Sequence, residues 1–115
     1  MKLRKRDRVH QVFRWLKSTH PTRGKTRLRI ESVMPRGYRD CVGIASLSDS
    51  SLIQISRKST RSASIYCLMH EYAHVIFYER DTEYSGDDHS DRFYRILGVI
   101  ERSWLAGGEK ESTEF

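Results

Sequence analysis

Apolar residues fall at helical spacing near the start of the chain, where Val9, Val12, Phe13 and Leu16 occupy positions i, i+3, i+4 and i+7. This spacing predicts a helix with an Arg- and Lys-rich outer face. It should stop before His20-Pro21, because the residue preceding a proline avoids helical dihedrals. From Thr26 the period shortens to two, with Leu28 and Ile30 alternating with Arg27, Arg29 and Glu31. A short apolar run over 41–47 follows, then a Ser/Asp turn over 48–51, then Ile53 and Ile55 two apart. These features predict about three short strands, the last two forming a hairpin. The helical period returns at Ile65, Leu68, Met69, Tyr72, Ala73 and Ile76, with Thr60 or Ser62 available to cap the start. A break over 81–90 separates this stripe from a second one at Phe93, Ile96, Leu97, Ile100 and Trp104, opened by Ser90 and Asp91. The expected fold class is α+β: an N-terminal helix, a small, mostly antiparallel sheet, then two helices. Residues 1–105 should form a single domain, and the Gly-broken acidic stretch 106–115 a flexible tail.

A length of 115 residues is one domain's worth. No apolar run approaches the roughly 18–20 residues a membrane span needs. Met1 to Arg8 lacks the apolar core of a secretory signal. Two cysteines, Cys41 and Cys67, are too few for a disulfide framework or a four-cysteine zinc ribbon, so a reduced, cytoplasmic protein is expected. Charge divides the chain: residues 1–61 carry 16 Lys/Arg against 4 Asp/Glu (+12), and residues 62–115 carry 5 against 11 (−6). The basic half, with Arg4, Lys5, Arg6, Arg8, Arg14 and Lys17 on the first helix, suits phosphates. It predicts at most a sequence-independent contact with nucleic acid, since nothing resembles a base-reading module.

His70-Glu71-Tyr72-Ala73-His74 is an H-E-x-x-H segment. On a helix, residues four apart differ by about 40° in azimuth and 6 Å in rise, so both imidazoles can reach one ion while Glu71 flanks it. Zn2+ fits these ligands and lowers the pKa of bound water to about 7. Glu71 can then act as general base and pass the proton to a leaving amine. A catalytic zinc normally has three protein ligands and one open position. His89, fifteen residues after His74, is the expected third ligand; Asp87, Asp88 and Asp91 are the carboxylate competitors. Cys67, one turn before His70, would close the site if it were a ligand, and is otherwise a small buried hydrophobe. His10 and His20 are expected at the surface.

The run LMHEYAHVIF followed by DDHSDRFYRILGVIERSW resembles the SprT-like zinc metallopeptidases of the gluzincin class, including their short phage-encoded, domain-only versions. In that family a histidine opens an H-G-x-x-F segment at the next helix. Here the segment is His89-Ser90-Asp91-Arg92-Phe93, with Ser in place of Gly. The resemblance spans about Leu52 to Trp104. It implies a minimal zincin-like fold, His70, His74 and His89 as ligands, and Glu71 as the catalytic acid/base.

The expected function is therefore zinc-dependent hydrolysis of peptide bonds in a peptide or protein substrate. Tyr38, Tyr84 and Tyr94 are candidates to steady the oxyanion. Because the chain enters the zinc helix from Leu52, Ile53, Gln54, Ile55 and Ser56, that strand is expected to be the sheet edge bordering the cleft, where an extended substrate would pair. The rival reading is a non-catalytic, basic DNA- or protein-binding module that keeps zinc for folding.

Overall fold

A computed structural model of the chain describes residues 3–80 and 89–115. Helix α1 spans Lys5–Thr19 and ends at His20, as the proline requires. Strands β1 (Lys25–Glu31), β2 (Gly43–Ser46) and β3 (Ser50–Ser56) follow, then helices α2 (Arg61–Arg80) and α3 (Asp91–Ser103). The α+β order matches the pattern of apolar positions. Thr60 is the residue that caps α2, its hydroxyl accepting the N–H of Ala63 at 3.2 Å. No helix among the described residues is long and apolar enough to cross a membrane.

Sheet order is β1-β3-β2, and the sheet is mixed. The β2–β3 hairpin is antiparallel, as expected, but the longer ladder, β1 with β3 over seven residue pairs, is parallel. Leu52, Ile53, Gln54, Ile55 and Ser56 therefore lie in the centre of the sheet, paired on both sides, and the expectation that they form its edge is overturned. Ile53 and Ile55 are fully buried, so their backbone groups must be satisfied by neighbouring strands on both sides. Residues 57–60 carry the chain off the sheet into α2, so adjacency to the helix in sequence does not make β3 an edge. The edge that meets α2 is β2.

Helix α2 packs against α1, α3, β2 and β3. Ten of its residues are buried, from Ser64 to Phe77, and they lie all around its axis rather than along one stripe. Tyr72 is fully buried, and its hydroxyl donates to the carbonyl of His20 at 2.6 Å. The Glu79 carboxylate accepts the backbone N–H groups of Arg23 (2.8 Å) and Gly24 (2.7 Å), tying the end of α2 to the entry of β1. His20 is half-buried rather than a free surface residue. Its Nε2 lies 2.8 Å from Ser103 Oγ, and its ring packs on Trp15.

The C-terminal stretch, expected as a tail from residue 106, lies against α1 in this structure. Beyond α3 the chain turns through Trp104–Gly108, bending at Gly107 (φ 150°), and continues in short helical turns to Glu114. Gln11 donates to the Thr113 carbonyl (2.9 Å) and Arg14 to that of Phe115 (2.8 Å), so the segment lies along α1. Trp15 and Trp104 meet edge-on with centroids 5.4 Å apart. Gly107 makes the bend, and Gly108 lets the returning segment close on Trp15. A Cβ on Gly108 would stand 2.2 Å from Trp15 Cζ2. Gly108→Ala should accordingly destabilise the fold by about 1–3 kcal/mol through overpacking. Urea unfolding would read this, and an unchanged midpoint would show that this contact does not hold the C-terminal segment on α1.

Candidate metal centre

The middle turns of α2 present His70 and His74, and His89 stands two residues before α3. Their Nε2 atoms form a nearly equilateral triangle, with sides of 3.3, 3.3 and 3.2 Å. Three ring nitrogens aimed at one point cannot satisfy one another, because each supplies either a proton or a lone pair there. A shared cation accepting three lone pairs satisfies all three. An ion about 2.05 Å from each nitrogen would subtend N–ion–N angles of about 105°, close to tetrahedral. Burial and the neighbouring His89 push the His70 pKa down, which favours the neutral imidazole that ligation needs.

Phe93 makes the floor of this cluster. It is fully buried, stacks on His74 with centroids 4.2 Å apart, and meets His70 (5.0 Å) and His89 (5.1 Å) edge-on. Phe93 follows His89 by four positions, so the entry into α3 delivers ligand and floor together. From sequence Phe93 was legible as core and as part of the family-like segment, but not as the surface that orients all three rings.

A cavity of about 290 Å³ opens over the cluster, lined by His70, Glu71, His74 and His89 on one side and by Tyr38 and residues 43–47 on the other. Burial pushes the Glu71 carboxyl up to about 7, where it can both take and release a proton near neutral pH. The opposing wall is edge strand β2, which approaches α2 closely because of Gly43. A Cβ there would lie 2.6 Å from Cys67 Sγ and 2.7 Å from Ile55 Cδ1. Sequence reasoning missed this wall; the glycine inside an otherwise apolar run was its only signal.

Cys67 faces that strand and is absent from the metal-holding group formed among the described residues. Burial first, then Glu71 and Cys41, pushes its thiol up to about 12, so it stays protonated. Asp91 is exposed and outside the cluster. Asp87, Asp88 and Tyr84 lie outside the described residues. Of the remaining tyrosines, Tyr38 lines the cavity, whereas Tyr94 is 54% exposed with its ring 6.4 Å from that of His89. No protein-family model, curated protein or solved structure matches this chain, so the centre is read from its own geometry.

His89→Ala removes one corner of the triangle while leaving α2 intact. Zinc affinity, measured by competition with a chromophoric chelator, should fall by at least about 10²-fold, beyond what loss of an outer-shell partner alone costs. Unchanged zinc retention would remove His89 from the ligand set.

Proposed function

We propose that the chain is a zinc-dependent peptidase of minimal SprT-like type, with His70, His74 and His89 as metal ligands and Glu71 as catalytic acid/base. The observation that carries this reading is the convergence of three Nε2 atoms beside a partly buried carboxyl, in a cavity whose far wall is a sheet edge unpaired among the described residues. Zinc, when bound, supplies Lewis-acid polarisation of a carbonyl and acidifies water. A Glu71 carboxylate oxygen takes the proton of the attacking water and passes it to the leaving amine nitrogen. Strand β2 pairs with β3 on one side, and among the described residues no strand pairs with its outer side, where an extended peptide would bond to its N–H and C=O groups. The Tyr38 hydroxyl, on the same wall, donates to the oxygen that becomes negative as the carbonyl is attacked.

The competing reading, a binding module with a structural ion, calls for a fourth protein ligand. Cys67, the candidate for that ligand, packs against Gly43 and lies outside the histidine group, which favours the peptidase. Both cysteines are free, which fits action in the reducing cytoplasm.

Zinc-loaded protein incubated with a quenched-fluorescence peptide library should cleave part of it. Glu71→Gln should lower the rate by about 10²–10⁴-fold with zinc affinity unchanged, since the base is lost and the ligands stay. Equal rates for the two proteins, or no cleavage by either, would overturn the assignment.

Tyr38→Phe separates stabilisation of the oxyanion from the proton transfers. We expect kcat to fall by about 10²-fold with KM little changed, the signature of a donor that acts only in the transition state. A change confined to KM would make Tyr38 a substrate contact instead.

A further inference from the structure

A second cavity in the described structure lies away from the metal centre. It occupies about 880 Å³ where the starts of α1 and α2 meet the C-terminal bend, and its lining includes Leu3, Arg8, Arg61, Leu105 and Lys110. Arg61 opens α2, nine residues before His70, which sets the two sites about 13–14 Å apart along the helix. The volume is in the range of small-molecule sites.

Its lining is net positive, with Arg8, Arg61 and Lys110 against the single carboxylate of Glu109. Among the described residues the ion pairs are Arg4–Asp7 and Arg29–Glu31, so Arg8, Arg61 and Lys110 have no carboxylate partner. Arg8 donates to Gln11 Oε1 (2.7 Å) and to the Glu109 carbonyl (3.2 Å), and lies over the Trp104 ring at 5.6 Å. These contacts hold the guanidinium in place while leaving some of its five N–H donors uncommitted. Arg61 makes one bond, to the Leu3 carbonyl. Burial pushes the Arg8 pKa down, the Glu109 carboxylate opposes this, and the Arg61 charge adds a smaller push in the same direction as burial. The positive end of α2 points to the same corner, and no acidic residue stands in its first turn. Lys5 adds a further charge, its ammonium held by the carbonyls of Arg57 and Ser59.

We propose that this cavity is a second binding site, taking the phosphate group of an anionic ligand between the guanidiniums of Arg8 and Arg61. Planar N–H forks match the oxygens of phosphate, and two such forks around one concave space can engage it from both sides. Like charges gathered at a positive helix end repel one another in the free chain, and a bound anion relieves that repulsion. Leu3 (42% exposed) and Leu105 (73% exposed) provide apolar walls beside the phosphate for the carbon portion of the ligand. The same chemistry is offered by a small phosphate-bearing molecule and by the phosphodiester of a nucleic-acid strand.

The test is titration of the ¹⁵N-labelled, zinc-loaded full chain with inorganic phosphate, pyrophosphate and a twelve-residue oligothymidylate in low-salt chloride buffer. The expected result is saturable shifts centred on Arg8, Arg61, the Trp104 indole and Lys110. Saturation by phosphate or pyrophosphate alone identifies a small ligand, and saturation by the oligonucleotide only identifies a phosphodiester strand. Arg61→Gln should weaken binding at least tenfold, and Lys110→Gln, at an exposed position, severalfold. The double variant Arg27→Gln/Arg29→Gln, which removes two charges from β1, should leave affinity within twofold. The proposal is overturned if no probe saturates, or if the β1 variant loses as much as Arg61→Gln, since binding would then be diffuse attraction to a basic surface. Zinc affinity, unchanged in all these variants, keeps the outcome separate from the metal centre.

Discussion

Helix α2 is buried on nearly every side, yet its middle turns carry two histidines and a glutamate. Burying ionisable groups costs free energy unless they are neutral, paired or bound to metal. The structure answers with three imidazoles converged on one point, a carboxyl whose pKa is pushed up to about 7, and a floor, Phe93, that packs on all three rings. Around this arrangement the rest of the fold is organised. Helix α1 and β3 cover the apolar sides of α2, and α3 brings the third histidine. Strand β2 closes the remaining side, where Gly43 allows it to sit against the helix.

Those constraints also separate the two ends of α2 in character. Its centre carries the histidine cluster and Glu71 under a cavity of about 290 Å³, whereas its start opens on a cationic cavity backed by the C-terminal bend. The division of charge between the two halves of the sequence maps onto this contrast only in part. Lys110, from the acidic half, joins Arg8 and Arg61 from the basic half, because the C-terminal segment folds back along α1. Net charge by segment therefore described the chain without locating the electropositive site.

What the sequence determined by itself rests on local physics. Helical spacing of Val9, Val12, Phe13 and Leu16, the stop at His20-Pro21 and the cap at Thr60 depend on nearest-neighbour sterics and hydrogen bonds, and the structure follows them. The same holds for His70, Glu71 and His74, because four-residue spacing on a helix sets their mutual positions whatever surrounds them. His89 was readable as a candidate ligand, but Asp91 was equally near in sequence. Only the packing of Phe93 under all three rings aims the imidazole of His89 inward and leaves Asp91 in solvent. Strand order was likewise out of reach: Leu28, Ile30, Ile53 and Ile55 all alternate in the same way, and alternation reports which face is buried, not which edge is paired. The parallel pairing of β1 with β3, the choice of β2 as the cleft wall and the return of residues 106–115 onto α1 are long-range contacts. They depend on how side chains far apart in the chain fit together, as Gly43 fits Cys67 and Gly108 fits Trp15, and that fit exists only in the folded molecule.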